Sequence, residues 1–282
     1  MHMAEPKERI DVLLVEQGLY ESREKAKAAV MAGLVFCEGV RLEKAGMKVP
    51  ANTVFTVKGE LHPYVSRGGL KLEKAIRHFG IDVAGAVMLD IGASTGGFTD
   101  CALQHGASHV YAIDVGYNQL DWSLRSDPRV RVMERLNFRY ITPEDLKGPQ
   151  PTFAATDVSF ISLRLILPPL RTLLQPSHEV VALIKPQFEA GREHVGKSGV
   201  IRDADIHRNV IHRVTSFADE HGFSLKGLTF SPITGGEGNI EFLAWWSIRE
   251  PGDRAETDSE SSARQRLIES VVAEAQASFR SS

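Results

Sequence analysis

Lys185 closes the apolar run "EVVALIK" and is followed at once by Pro186, which ends regular strand pairing. A lysine ending a buried strand is unusual, because an ammonium is rarely buried without a partner. Asp157 closes a second apolar run, "TFAATD", on what the pattern places as a neighbouring strand. Two more ionisable residues belong with them: Lys71 in "SRGGLKLEKAIRHFG", a helix leading into the main domain, and Glu241, opening the final strand after "GGEGN". Taken singly, Lys71 and Glu241 read as surface charges or ordinary ion pairs. Lys185 and Asp157 together, both at strand carboxyl ends, point to an amine that takes a proton or steadies a developing anion, positioned by a carboxylate.

A third strand end carries the ligand signal. In "LDIGASTGGFTD", Leu89 to Asp100, an apolar strand ends in an acid and breaks into a glycine turn. A dinucleotide fingerprint, G-x-G-x-x-G, needs its middle glycine so that a pyrophosphate can approach the backbone. Here the glycines are Gly92, Gly96 and Gly97, and the middle position is Ser94. The turn instead suits a nucleoside with a lone carboxylate, the latter placed among N–H groups at the start of the next helix. S-adenosylmethionine has that make-up. Asp114, ending "HVYAIDV", stands at the interval where an acid binds ribose hydroxyls, and Asn137 follows the third strand where it can meet an adenine. A competing motif, "GREHVGKS" at Gly191 to Ser198, matches the phosphate-loop pattern G-x-x-x-x-G-K-S. A phosphate loop leaves a strand directly and enters a helix at its Lys-Ser, whereas "PQFEA" precedes this one and "GVIRD" follows it. It reads as a mobile loop beside the active site.

The elements that must position these residues begin near Tyr64. The strand candidates are "AVMLDIG", "HVYAIDV", "RVRVME", "TFAATDV", "EVVALIK", "LKGLTFS" and "IEFLAWWSI", separated by helical segments such as "SLRLILPPLRTLL" and "DADIHRNVIHRVTSFADEHG". Such alternation implies an α/β domain, a mostly parallel sheet with helices on both faces, whose ligands bind beyond the strand carboxyl ends. The expected domain plan is 1–60, 61–249 and a final segment 250–282. In that last segment a polar linker, "EPGDRAETDSESS", precedes a helix with Leu267, Ile268, Val271, Val272 and Ala275 on one side, expected to pack against the body.

Residues 1–60 read as a separate module of two short helices, the second opened by Ser22 and stopped near Gly33, followed by short strands in "LVFCEG" and "NTVFTVKG". Arg23 and Lys27 share a helix face, with Lys25 nearby. The module carries nine Lys/Arg against nine Asp/Glu, so composition alone favours a solvated helix face. The whole chain of 282 residues has a formal charge of −3, which gives no global footprint of nucleic-acid binding; any RNA site must be a local patch. No apolar run is long enough for a membrane span and the amino terminus lacks the apolar core of a signal peptide, so a cytoplasmic protein is expected. Cys37 and Cys101 cannot form a disulfide framework and read as small core residues. The ten histidines do not cluster at ligand spacing, and no metal is expected.

Taken together, "VSRGGLKLEKA", "LDIGASTGGFTDC", "YAIDVGYNQL", "ATDVSFISL", "LIKPQFEAG" and "GNIEF" make the chain resemble the hemolysin-A (TlyA) family of ribosomal RNA 2′-O-ribose methyltransferases, within the FtsJ-like group. Its first module resembles the RNA-binding domain first described in small-subunit ribosomal protein S-four. The resemblance implies a Rossmann-like class I methyltransferase fold, a mostly parallel seven-stranded sheet with the last strand antiparallel, beside a small amino-terminal α+β RNA-binding domain. It implies S-adenosylmethionine-dependent methylation of a cytidine ribose 2′-hydroxyl in large- or small-subunit ribosomal RNA, with ribosomal subunits as partners. The family's catalytic tetrad falls on Lys71, Asp157, Lys185 and Glu241. Its cofactor contacts fall on Asp90, Gly92, Ser94, Thr95, Gly96, Gly97, Phe98, Asp114 and Asn137. RNA contacts are expected at Arg9, Arg23, Lys25, Lys27 and Arg67. Two rivals stand against this. Loss of a tetrad member would favour a non-catalytic RNA-binding assembly factor, and none is lost. A membrane-active hemolysin would need an amphipathic or transmembrane stretch, and the sequence offers none.

Overall fold

The computed structural model of the chain describes residues 6–31, 33–58, 62–191, 194–196, 199–235, 238–250, 252–254 and 256–280. It divides into two compact units, 1–63 and 64–282.

In the first unit, β1 (Lys7–Arg9) runs directly into α1 (Ile10–Glu16), and α2 (Arg23–Met31) follows. Ser22 opens α2, its Oγ accepting from the Lys25 N–H at 3.2 Å. The remaining strands are β2 (Val35–Cys37), β3 (Val40–Arg41), β4 (Lys48–Pro50) and β5 (Thr56–Val57). β1 pairs with β4, while β2 lies between β3 and β5. Ile10, Leu13 and Leu14 of α1 meet Ala26, Ala29 and Val30 of α2 over Val35 and Phe55, the spacing of two helices each turning one stripe inward. Asp11 is fully covered: Arg9 reaches it through Nε at 2.8 Å and Arg23 through Nη2 at 3.0 Å. The Arg9 guanidinium above all, and then Arg23, hold its carboxyl down to about 2 against the pull of burial.

The second unit contains α3 (Gly68–Phe79), β6 (Val87–Ile91), α4 (Gly97–Gln104), β7 (His109–Ile113), α5 (Trp122–Arg125), β8 (Val130–Met133) and β9 (Phe153–Thr156). After these come α6 (Leu167–Leu173), β10 (Glu179–Ile184), α7 (Pro186–Glu189), α8 (Ala204–Glu220), β11 (Phe223–Phe230), β12 (Phe242–Ile248) and α9 (Asp258–Arg280). All seven expected runs are strands of one sheet, in the order β11-β12-β10-β9-β6-β7-β8. β12, the last, is antiparallel to both its neighbours, and the other pairings are parallel. The central strands β6, β9 and β10 are largely apolar because both faces are covered, whereas the edge strands β8 and β11 are partly exposed and carry Arg131 and Lys226. Leu89, Ile91 and Tyr111 turn to one face, beneath α6, α8 and α9; Met88, Val110 and Ala112 turn to the other, beneath α3 and α4. Cys101 is buried in that second layer, Cys37 is half-buried in the first unit, and both are free thiols.

α9 packs on the body through Ile268, Val271, Val272 and Ala275, but Leu267, expected on the same side, is 37% exposed. The buried stripe shifts because Arg264 takes its place. Its guanidinium lies against Glu256 and donates to Thr215 Oγ1 (2.8 Å) and Ser216 Oγ (3.0 Å) on α8. Among the described residues no helix is long and apolar enough to cross a membrane.

Candidate active site

The strand order reverses between β6 and β9, leaving a crevice beyond their carboxyl ends. A cleft of about 310 Å³ opens there, walled by Gly92 and Ser94 after β6, Asp114 after β7, Asn137, and Asp157 to Phe160 after β9. Register brings the four ionisable residues to the same edge. Ile184 of β10 is paired with Phe242 of β12, so Lys185 and Glu241 flank the end of that ladder. Asp157 follows β9, its N–H held by the Ile91 carbonyl at 3.0 Å. Lys71 arrives from α3, on the same buried side as Leu72, Ala75 and Ile76. The seating of α3 depends on bare glycines. A Cβ on Gly69 would lie 2.4 Å from the Tyr64 ring, and one on Gly97 would lie 2.7 Å from the Gly69 nitrogen.

Lys71 Nζ donates to Asp157 Oδ2 at 3.0 Å and to Glu241 Oε2 at 2.7 Å. Lys185 Nζ lies 2.5 Å from the other Asp157 oxygen, Oδ1, an ion pair whose angles fall outside those of a well-directed hydrogen bond. Its directed hydrogen bond goes to Ser159 Oγ at 3.0 Å. Two ammoniums and two carboxylates thus neutralise one another in a nearly dry cluster, which is what makes their burial tolerable. For Lys71, burial disfavours the charge, but Asp157 and Glu241 outweigh it and raise the pKa. For Asp157, burial pushes upward, and Lys71 with Lys185 outweigh it and lower the pKa.

The residues expected around a cofactor divide into a wall and a frame. Gly92, Ser94, Asp114 and Asn137 line the cleft. Asp114 accepts from the Ser94 N–H (2.8 Å) and the Gly116 N–H (2.7 Å), one bond per oxygen, so each oxygen keeps a lone pair for a ligand hydroxyl. Asn137 Oδ1 accepts from the Arg139 N–H at 3.2 Å, capping a short 3₁₀ turn. Asp90, Gly96, Gly97 and Phe98 lie beneath, buried, and Thr95 is half-buried. Asp90 is wholly enclosed, with Oδ2 bonded to the Thr99 N–H (2.9 Å) and hydroxyl (2.6 Å), and Oδ1 unpartnered among the described residues. Burial above all, with Asp157 and Asp114 adding to it against the Thr99 bonds, pushes its pKa up to about 7. Gly92 has φ +85°, and a Cβ there would meet the Asp157 carbonyl oxygen at 2.7 Å, so the turn and the cluster are in backbone contact.

Three residues of the site escaped the sequence reading. Ser159 contacts Lys185, as above. Phe160 is 90% exposed at φ +63°, its ring 4.9 Å from that of Phe188 beside Lys185. A bulky residue in the left-handed region is a backbone outlier, and here its ring also lies in solvent. Glu189 is buried and accepts from Ser162 Oγ and the Leu163 N–H, both at 2.7 Å, which pins the far end of the 157–163 turn. The available signal was "DVSFISL" itself, a strand-end turn with no glycine to relieve it.

Of the residues expected to meet RNA, Lys27 is exposed, Lys25 pairs with Glu21, and Arg9 and Arg23 are engaged with Asp11. Arg67, in the second unit, is exposed just before α3. In the phosphate-loop-like stretch, residues 192–193 and 197–198 lie outside the described residues, as does the looseness expected of that loop. Around it, α7 separates the motif from β10, and α8 does not begin until Ala204. Among the described residues no three His, Cys, Asp or Glu gather to hold a metal ion.

Residues 64–247 match the FtsJ-like methyltransferase family and residues 8–55 match the S4 domain. The chain is 60% identical to YqxC of Bacillus subtilis (strain 168) over 254 residues, 90% of each protein. It is 43% identical over 248 residues to the 16S/23S rRNA (cytidine-2′-O)-methyltransferase TlyA of Mycobacterium tuberculosis (strain ATCC 25618 / H37Rv), covering 88% of this chain and 91% of that one. A Streptococcus thermophilus protein solved under the hemolysin name superposes with a TM-score of 0.75 at 54% identity, covering 99% of this chain and 98% of the other. An S4 domain, a methyltransferase sheet and relatives matched over nine-tenths of their length have one explanation: the chain belongs to the TlyA family of FtsJ-like methyltransferases.

Proposed function

We propose that the chain methylates the ribose 2′-hydroxyl of a cytidine in ribosomal RNA, using S-adenosylmethionine. The observation that carries this reading is the Lys71–Asp157–Lys185–Glu241 cluster at the edge of the cleft. S-adenosylmethionine, when bound, supplies an electrophilic methyl group. The residues present fit it: each Asp114 oxygen keeps a lone pair at the cleft wall, and at Gly92 a Cβ would collide with the Asp157 carbonyl, so the backbone there stays bare for a ligand. Asp114 is placed for the ribose hydroxyls and Asn137 for the adenine.

A ribose hydroxyl is a poor nucleophile until its proton is leaving. Lys185 orients this hydroxyl, taking its proton as the neutral amine or steadying the developing alkoxide as the ammonium, with Asp157 holding the nitrogen in place. Lys71 bridges Asp157 and Glu241, and Glu241 fixes Lys71. Phe160 offers its exposed face to the target nucleoside, since base–aromatic stacking suits unpaired RNA. The S4 domain supplies affinity through exposed basic residues such as Lys27. Incubation with labelled S-adenosylmethionine and unmodified ribosomal subunits tests the reading. Label recovered in alkali-resistant, 2′-O-methylated dinucleotides supports it, and label confined to bases contradicts it.

A further inference from the structure

We infer that Ser159 is a positioning residue for Lys185, the group that sets the direction of its Nζ. The inference rests on the methyl-transfer reading above. Asp157 Oδ1, 2.5 Å from Lys185 Nζ at angles outside those of a well-directed hydrogen bond, fixes where the nitrogen is more than which way its N–H bonds point. Phe188, with its ring centroid 5.9 Å from Nζ, offers a cation–π contact at the edge of its range, which is equally undirected. Among the described residues the directed hydrogen bond on Lys185 is the one to Ser159 Oγ, at 3.0 Å.

The turn that carries Ser159 is built to keep it there. Its start is held by the Asp157 N–H on Ile91 and by the close approach of Gly92 to the Asp157 carbonyl. Its end is held by Glu189, which accepts from Ser162 and Leu163. Between these anchors the backbone passes through φ +63° at Phe160, a conformation that persists only where its surroundings impose it. Lys185 precedes the short helix α7 and Glu189 ends it, so the clamp ties the end of β10 to the turn after β9. Ser159 also lines the cleft.

The test uses the full-length protein, labelled S-adenosylmethionine and unmodified ribosomal subunits, with Ser159→Ala and Ser159→Thr beside the parent. A hydrogen bond to a charged group predicts a fall in kcat of at least about tenfold for Ser159→Ala. The KM for subunits and the calorimetric Kd for S-adenosylmethionine should stay within about twofold of the parent, a difference within the scatter of single contacts. Ser159→Thr, which keeps the hydroxyl, should recover most of the rate. A parent-like kcat in Ser159→Ala overturns the inference. So does an equal loss in the two variants, or a loss that appears as a raised KM. If the parent itself fails to form 2′-O-methylribose, the underlying reading fails instead, and the two failures are distinguishable.

Discussion

Lys71 lies 3.0 Å from Asp157, 86 residues further along the chain, and its ammonium is shared with Glu241 at 2.7 Å. A single lysine therefore offsets two carboxylates, one of them at the base of Lys185. Lys71→Ala leaves Glu241 without its cation and Asp157 with Lys185 alone, and breaking a buried pair in this way costs about 3–5 kcal/mol. Chemical denaturation should show a loss of that order, partly recovered in the double variant Lys71→Met/Glu241→Gln. A single variant as stable as the parent would mean that the cluster is not dry.

The same cluster predicts an acid limb of stability. Asp157 has a lowered pKa in the folded protein, so its contribution is present above its unfolded value and lost as pH falls through the folded one. Unfolding free energy should decline below about pH 4, the ordinary aspartate range, and Asp157→Asn should flatten that decline.

Asp90 behaves in the opposite sense. Its pKa is raised to about 7, so its contribution is fully present below the unfolded value and is lost as pH rises through 7. Asp90→Asn should remove that loss of stability between pH 4 and 7, measured as a change in slope of unfolding free energy with pH. An unchanged slope would show that the unpartnered Oδ1 is solvated or bonded in solution.

Gly92→Ala tests the contact between turn and cluster. At φ +85°, with 2.7 Å to the Asp157 carbonyl, an alanine must displace one or the other. Left-handed strain alone costs about 1–2 kcal/mol. Calorimetry should show weakened S-adenosylmethionine binding in a folded protein. Undiminished affinity would separate the turn from the cofactor site.

In the first unit, Arg23→Ala should lower thermal stability, because buried Asp11 loses a partner, whereas Lys27→Ala should leave stability unchanged. RNA affinity should fall in Lys27→Ala, with the slope of log K against log salt reduced by about one. No change in slope would exclude a phosphate contact at Lys27.

The central strands were legible because strands covered on both faces write themselves as largely apolar runs, whereas the half-open edge strands β8 and β11 interrupt theirs with Arg131 and Lys226. Lys185 was legible for the same reason, as a charge at the end of such a run. Ser159, Phe160 and Glu189 were not, because their roles depend on where one turn lies against another strand end, and no periodicity encodes that. The frame residues Asp90 and Phe98 share a motif with the cleft-lining Gly92 and Ser94, and only the three-dimensional course of the turn separates them. The pairing of Arg9 and Arg23 was not legible, because nothing in the sequence marks their shared partner, Asp11, as buried on α1.

The central claim is most directly tested by Lys185→Ala. With S-adenosylmethionine binding confirmed by calorimetry, mass spectrometry of ribosomal RNA from treated subunits should find a 2′-O-methylated cytidine with the parent. It should find a rate lower by about 10²–10⁴ with the variant, the range for loss of a proton-transfer group. Near-parental ribose methylation by Lys185→Ala would contradict the account.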